Sequence, residues 1–236
     1  MRILFIGNSA TYVHDIPETL ASLATSAGFP TESVRIVKGG WCLSQHAAEG
    51  SRARAEIEKG YDLVVLQDNG NCVSSDDKRS ACISSCEILA SKAIESGAKL
   101  AYYVRPPYGY EAFGRSPVEQ CRAFDELFTD IASKNGAVCV YVNRAFEYAI
   151  ENTDIRLWGD DNAHTSDEGA YLAVCVHFAT IFPCDGSESA YADKGFTRIL
   201  SISHEQTVAF AGDWVPAVKQ ILAGECERWN KTFWSD

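Results

Sequence analysis

A serine near the start of the sequence follows closely on an apolar run that ends at a glycine. Residues 2–6 predict a strand buried on both faces of a parallel sheet, because their apolar side chains run without alternation after Arg2. Gly7 ends the run, and Ser9 comes two residues later. Open α/β sheets bind ligands at the carboxyl ends of their strands, so the hydroxyl of Ser9 falls at the edge where chemistry is expected. The competing interpretation is a helix N-cap or a turn hydroxyl.

An aspartate and a histidine three residues apart form a second chemical group late in the sequence. Asp161 and His164 precede a predicted helix, so a loop can bend the carboxylate onto one imidazole nitrogen and leave the other facing a nucleophile. Together with Ser9 they contain every part of an acyl-transfer triad, for which we expect neither a metal nor an organic cofactor. The alternative is that Asp160 and Asp161 belong to a polar loop and that Ser166 caps the next helix.

Composition restricts the partners of the chain. Its 236 residues suffice for one α/β domain over 1–236, and contents of 46% apolar and 22% charged residues are ordinary for a globular protein. The net charge of −11 disfavours nucleic acid and anionic lipid as partners. No apolar stretch approaches the roughly 20 residues of a membrane helix, and the sequence opens on its first strand. We therefore expect a cytoplasmic protein that does not bind a membrane.

The nine cysteines do not form a recognisable framework. Their number is odd, and they lack a short Cys-x-x-Cys pair or a His/Cys pair at zinc spacing, which argues against a disulfide scaffold and a structural metal. Cys82 and Cys86 share a helical face with Leu89 and Ala93. We expect those two thiols to be small core residues.

Apolar strand candidates alternate with segments of helical length. The predicted strands are 2–6, 33–37, 62–67, 99–104 and 137–142, and the predicted helices are 16–27, 47–59, 78–96, 117–134, 146–152 and 168–182. Asp76 or Asp77 is the expected cap of the third helix. Strands joined by crossover helices predict a five-stranded parallel sheet with helices on both faces, a flavodoxin-like three-layer α/β/α sandwich. From about residue 185 we expect a helical C-terminal extension, with Trp214, Trp229 and Trp234 packing back onto the body.

The first and last of these chemical groups resemble blocks of the SGNH, or GDSL-type, hydrolases. Gly7-Asn8-Ser9 matches the block that carries the nucleophile, within an opening phenylalanine-isoleucine-glycine-asparagine-serine run. Asp161 and His164 match the aspartate-x-x-histidine block. The resemblance extends to about Phe182 and implies a serine esterase of the same three-layer fold.

The resemblance also implies an oxyanion hole built by three donors. The first is the amide of Ser9, and the second is a glycine after strand two, for which we choose Gly40 although Gly39 fits equally. The third is an asparagine after strand three. The family expects glycine-x-asparagine-aspartate there, whereas this sequence lacks the aspartate. Asn71 falls at the expected position, and Asn69 and Gln67 stay open as rivals because each carries an amide NH₂.

Aromatic residues suggest the substrate class. Trp41 and Trp158 adjoin two of the blocks, and others surround Arg105 after strand four, namely Tyr102, Tyr103, Tyr108, Tyr110 and Phe113. Flat aromatic surfaces suit sugar rings or apolar acyl chains, and between these we expect a small-molecule or carbohydrate ester, with acetyl the favoured acyl group. Two alternatives remain: a thioesterase or lysophospholipase of the same fold, and a non-catalytic binding module. The other histidines lack a carboxylate at comparable spacing on an edge loop: His14, His46, His177 and His204.

Overall fold

The sheet is built from five parallel strands. The structure is a computed structural model that describes residues 1–26 and 28–182. The strands are β1 (Arg2–Gly7), β2 (Glu32–Val37), β3 (Leu63–Leu66), β4 (Lys99–Val104) and β5 (Val138–Tyr141). Their order across the sheet is β2-β1-β3-β4-β5, and every neighbouring pair is parallel. The predicted sheet is confirmed.

Helices cover both faces of this sheet, which gives the predicted three-layer α/β/α sandwich. They are α1 (Ser9–Tyr12), α2 (Ile16–Ser26), α3 (Leu43–His46), α4 (Arg52–Ile57), α5 (Asp76–Glu95), α6 (Pro117–Asn135), α7 (Val142–Asn152) and α8 (Asp167–Ile181). Helix α8 packs against α2 and α7, whereas α5 packs against α3, α4 and α6. None of the helices in the described ranges is both long and apolar enough to cross a bilayer.

The core lies along the middle strands. Every residue of β3 is buried, and so are residues 3–6 in β1. Strands β1 and β3 run in register from Ile3 opposite Leu63 to Ile6 opposite Leu66. Because side chains on both faces are covered by helices, these strands tolerate no polar alternation, which is why the sequence shows continuous apolar runs. The same register brings the carboxyl ends of β1 and β3 together.

Three local predictions are wrong. The helix expected over 47–59 forms only as α4, because Gly50 adopts a left-handed φ of 70° and Ser51 then caps the helix through Arg54 N. Ser75 caps α5, rather than Asp76 or Asp77, by accepting from Lys78 N. Helix α7 begins at Val142, four residues before its predicted start, so the strand β5 ends one residue early.

The predicted core thiols are buried. Cys82 and Cys86 are 2% and 0% exposed, and both are free cysteines that lie among the buried residues of the main hydrophobic core. The predicted C-terminal extension from about residue 185, with its three tryptophans, lies outside the described residues, as does His204.

Candidate active site

Ser9 begins helix α1 immediately beyond the carboxyl end of β1. The N-cap of that helix is Asn8, whose side chain accepts a hydrogen bond from Ala10 N at 3.0 Å. The N-cap interpretation of Ser9 is therefore wrong, because the preceding residue fills that position. The Ser9 hydroxyl makes no hydrogen bond to any residue of the described chain, so its oxygen is available for chemistry.

A buried glutamine fixes the turn that presents Ser9. Gln67, at the end of β3, accepts hydrogen bonds at its Oε1 from Asn8 N and from Thr11 Oγ1, both at 2.9 Å. Gly7 has to be a glycine here, because a Cβ at that position would lie 2.6 Å from Gln67 Oε1 and 2.7 Å from Thr11 Oγ1. The close approach of β1 and β3 thus fixes the turn that carries Ser9. This role for Gln67 was not evident from its place in the sequence.

Asp161 and His164 form the pair that their spacing predicts. His164 Nδ1 lies 2.6 Å from Asp161 Oδ2, and Asp161 Oδ1 accepts from the backbone N–H groups of His164 at 3.0 Å and Ala163 at 2.9 Å. These bonds, led by the His164 backbone N–H, hold the pKa of Asp161 far below its usual value. Asp161 is therefore a carboxylate throughout the working pH range, and Nε2 of His164 has no partner among the described residues.

His14 joins the segment that carries Ser9 to the loop that carries His164. Its Nε2 lies 2.8 Å from the carbonyl oxygen of Thr165, the residue after His164, and its Nδ1 lies 2.9 Å from Asp167 Oδ1. Both ring nitrogens are therefore occupied, and His14 has none left to accept a proton from Ser9. No local motif indicates its pairing with Asp167, because the two residues lie 153 positions apart in the chain.

The candidate oxyanion donors lie on two loops that contact one another. Gly40 has a φ of 75°, which only glycine adopts readily, and its carbonyl accepts from Asn69 Nδ2 at 3.1 Å. Gly39 lies against Tyr12, since a Cβ there would be 2.9 Å from the tyrosine hydroxyl oxygen. The loop after β2 is thus bonded to the loop after β3 and packed on α1, close to Ser9.

The three amide candidates differ in what their nitrogens do. Gln67 Nε2 donates to the carbonyl of Asp68, and Asn69 Nδ2 donates to Gly40. Asn71 instead accepts at its Oδ1 from the thiol of Cys42 at 3.4 Å, so its Nδ2 points away from that thiol. This nitrogen donates to none of the described residues. Burial raises the pKa of Cys42, so this thiol keeps its hydrogen and can donate. Asn71 has the free donor that an oxyanion requires.

A buried polar cluster supports the loop after β3. Asp68 accepts from the backbone N–H groups of Leu43 and Asn69, both at 2.7 Å. Within residues 1–26 and 28–182, its carboxylate and the thiols of Cys72 and Cys82 are the donor atoms close enough to hold a cation, all within 4.8 Å of one another. Burial raises the pKa of Asp68, and hydrogen bonding and burial raise those of both thiols. Through its hydrogen bonds to Leu43 N and Asn69 N, Asp68 joins the start of α3 to the loop after β3.

Two further histidines are held in the core. His46 Nε2 lies 2.9 Å from the carbonyl oxygen of Gly7, and burial lowers its pKa. His177, on α8, has Nδ1 2.7 Å from the Ala173 carbonyl, and burial lowers its pKa to about 4. His177 is a core residue, fully buried against Phe5 and Tyr103.

The aromatic surface is smaller than the sequence suggested. Tyr102 and Tyr103 are fully buried core residues, so their place in a binding surface is a wrong prediction. Tyr110 and Phe113 are exposed. Tyr108 stacks on Tyr110 with ring centroids 5.4 Å apart.

The loop after β4 joins the other site loops. Tyr108 contacts the loop that carries Gly70 and Asn71, because a Cβ at Gly70 would lie 2.7 Å from its ring and from Arg105 Nη1. Gly109 N donates to the Asn162 carbonyl at 2.8 Å, next to the Asp161–His164 pair. Trp158 Nε1 donates to the carbonyl of Pro107 at 3.0 Å. The aromatic loop therefore lies between the His164 loop and the Asn71 loop.

Comparison with known proteins identifies the fold of the chain. No family model and no curated protein matches the chain. Among solved structures, it is similar to an SGNH hydrolase of Slackia heliotrinireducens, described there as putative, with 26% identity over 75% of this chain and 96% of the other and a TM-score of 0.65. The acetyl xylan esterase AlAXEase is 15% identical over 77% and 100% of the two chains, with a TM-score of 0.63. TesA is 16% identical over 78% and 99%, with a TM-score of 0.58. The chain has the SGNH-hydrolase fold.

Proposed function

We propose that the chain is a serine esterase that hydrolyses short acyl esters, acetyl esters in particular, through a covalent acyl-enzyme. Ser9 is the nucleophile, His164 the general base and Asp161 the residue that orients the imidazole. Gly40 and Ser9 contribute backbone N–H groups to the oxyanion hole, and Asn71 contributes its side-chain amide.

The reaction proceeds in two halves. Nε2 of His164 accepts the hydroxyl proton of Ser9 as Oγ bonds to the ester carbonyl carbon, and the carbonyl oxygen takes the negative charge. When the tetrahedral intermediate collapses, the carbon–oxygen bond to the alcohol breaks and His164 gives the alcohol its proton. Water then repeats the sequence on the acyl-enzyme and releases the carboxylic acid and free Ser9. Each oxyanion donor contributes roughly 3 kcal/mol to the transition state.

One observation carries this proposal. His164 has Nδ1 fixed on a carboxylate and Nε2 free, on a loop whose next residue is bonded to the segment that begins at Ser9. An imidazole held in this way has its basic nitrogen unoccupied and its other nitrogen supplied with a charge partner, which is what a general base for a serine requires. Asn71, with its unoccupied Nδ2, adds a donor on the neighbouring loop.

The substrate side of the proposal rests on the loop after β4. Its exposed Tyr110 and Phe113 lie on a loop tied to both the Asn162 carbonyl and the contact of Tyr108 with Gly70. Exposed aromatic faces on a loop that contacts the Asn71 loop and the His164 loop suit a sugar ring that carries the acyl group. Four of the similar structures are of acetyl xylan esterases or acetyl-xylooligosaccharide esterases, three of them variants of a single enzyme, which supports an acetylated carbohydrate as the class to test first.

Hydrolysis of p-nitrophenyl acetate tests the proposal directly. Ser9→Ala should abolish turnover and leave the circular dichroism spectrum unchanged, whereas Ser22→Ala on α2 should retain the wild-type rate. Retained activity in Ser9→Ala would remove Ser9 from the mechanism.

The acyl preference requires a separate series. The rates on p-nitrophenyl acetate, butyrate and octanoate should fall steeply as the acyl group lengthens. An acyl-CoA thioester and acetylated xylooligosaccharides are measured in the same series. If the rate is highest on the octanoate ester or on the thioester, the activity is that of a thioesterase or lysophospholipase of the same fold and not that of an acetylesterase.

A further inference from the structure

We infer that His14 and Asp167 form a clamp that positions His164 on Ser9, so that His14 is a positioning residue for the reaction. The inference rests on the proposed function and adds to it a residue that no triad contains. His14 lies five residues after Ser9, and Asp167 lies three residues after His164. The clamp therefore spans the two segments whose relative position decides whether the proton transfer takes place.

The backbone at His14 is unusual and has to be held in place. His14 and Asp15 both adopt left-handed conformations, with φ of 60° and 49°. Consecutive non-glycine residues rarely share that region, because the Cβ crowds the following carbonyl. Strained conformations of this kind persist only where surrounding contacts determine them, and they concentrate at functional sites. Here the strained turn between α1 and α2 is what directs the imidazole of His14 to the loop before α8.

The hydrogen-bond chemistry of the ring explains how the clamp closes. A backbone carbonyl oxygen only accepts, so the 2.8 Å contact with Thr165 requires a hydrogen on Nε2. The other ring nitrogen, Nδ1, lies 2.9 Å from the Asp167 carboxylate. The side chains of His14 and Asp167 are 26% and 38% exposed, so solvent screens this pair only in part. The ring thus contacts the Thr165 carbonyl and the Asp167 carboxylate at the same time.

The contacts on the other side of the clamp are rigid. Ser166 caps α8 by accepting from Gly169 N at 3.0 Å and donates to the Arg156 carbonyl at 2.6 Å. Thr165 forms an antiparallel bridge with Trp158. Within the described ranges, His14 makes all the hydrogen bonds and ion pairs that connect residues 9–15 directly with residues 158–167. Without it, the packing of α2 on α8 still holds the two segments near one another, but no hydrogen bond or ion pair in the described ranges sets the position of the His164 loop on residues 9–15.

The test compares three substitutions of His14 with a matched control. His14→Gln keeps a donor at the reach of Nε2, His14→Asn keeps one at the reach of Nδ1, and His14→Ala keeps neither. Asp15→Ala is the control, because Asp15 has the same left-handed conformation but pairs with Arg35 on β2, away from the His164 loop. The measurements are kcat and KM on p-nitrophenyl acetate, the rate of fluorophosphonate labelling of Ser9, and amide hydrogen exchange over residues 160–166.

We expect His14→Ala to lower kcat and the labelling rate about 30-fold with KM changed less than about 3-fold, because misplacement of about 1 Å at a reacting group costs up to roughly 100-fold. Exchange over residues 160–166 should accelerate. His14→Gln should recover most of the loss and His14→Asn less, since the Thr165 contact is the one next to His164. Asp167→Ala should lower the rate less than His14→Ala, and the double variant should be no slower than His14→Ala alone.

The outcomes separate the clamp from the proposed function. If Ser9 is labelled but His14→Ala reacts within about 2-fold of wild type, or behaves like Asp15→Ala, the clamp is overturned and the esterase stands. If wild-type Ser9 is not labelled, the proposed function is overturned. Hydrogen exchange then decides the clamp alone: faster exchange in His14→Ala supports it, and unchanged exchange overturns it.

Discussion

Replacing Asp161 by asparagine should disable His164 without moving it. The asparagine oxygen can still accept from the backbone N–H groups of Ala163 and His164, which now bind Asp161 Oδ1 at 2.9 and 3.0 Å. The new NH₂ group then faces Nδ1 of His164, where the carboxylate oxygen lies 2.6 Å away in the wild type. Nδ1 has to accept that hydrogen, so the ring hydrogen moves to Nε2 and the nitrogen that should take the Ser9 proton is blocked.

The size of the effect follows from the exposure of the pair. Two unit charges about 4 Å apart attract by about 1 kcal/mol at the dielectric constant of water and about 4 kcal/mol at an effective value of about 20. Asp161 and His164 are 54% and 36% exposed, so screening places the lost attraction between those limits, at about 2 to 3 kcal/mol. That is about 30-fold to 150-fold in rate. The blocked nitrogen adds to it, so we expect kcat to fall about 100-fold to 1,000-fold.

The assay is steady-state hydrolysis of p-nitrophenyl acetate at neutral pH, with Asp160→Asn as the control. Asp160 is the neighbouring aspartate, but its side chain is 99% exposed and pairs with Arg156. We expect Asp160→Asn to stay within about 2-fold of wild type, because exposed pairs contribute little. A loss below about 5-fold in Asp161→Asn, or an equal loss in both variants, would refute the orienting role of Asp161.

Three other predictions concern packing and hydrogen bonds around the site and in the core. Gly70→Ala should lower kcat about 10-fold by displacing the loop of Asn71, since its Cβ would lie 2.7 Å from the buried Arg105; unchanged kinetics would refute this packing. Gln67→Leu leaves Asn8 N without its acceptor and should cost about 1 to 3 kcal/mol in urea unfolding; an unchanged midpoint would count against it. Burial lowers the pKa of His177 to about 4, below its unfolded value of about 6.5, so the unfolded chain binds the extra proton and stability falls as pH drops from about 6.5 to 4. His177→Leu should lose about 3 kcal/mol less than wild type between pH 7 and pH 4; equal losses would contradict the shift.

The sheet was predictable because its strands are buried on both faces. Continuous apolar runs such as 63–66 have one reasonable structure once helices flank them, and parallel pairing follows from the crossover lengths. Helix ends were less predictable where several capping residues stand in a row. Ser75, Asp76 and Asp77 can each cap α5, and only the backbone geometry selects the serine. The expected helix over 47–59 does not form because Gly50 adopts a left-handed conformation and Ser51 caps a shorter helix directly after it.

The site divides in the same way between local and distant contacts. The Asp161–His164 pair was predictable because three residues of loop suffice to bring the two groups together. The contacts that place this pair were not: His14 and Asp167 are remote in the sequence, and neither belongs to a recognisable motif. The side-chain amide of Gln67 makes it a candidate oxyanion donor from sequence, whereas in the structure its oxygen accepts hydrogen bonds from the turn that carries Ser9. Side-chain chemistry alone does not reveal which end of an amide is occupied.

Mass spectrometry of the protein after treatment with a fluorophosphonate probe tests the central claim without knowledge of the natural substrate. Activation of Ser9 by His164 predicts a single adduct, on the peptide that contains Ser9, and its loss in the His164→Ala variant at equal probe concentration and time. An adduct on another residue, no adduct, or undiminished labelling in His164→Ala would contradict the account.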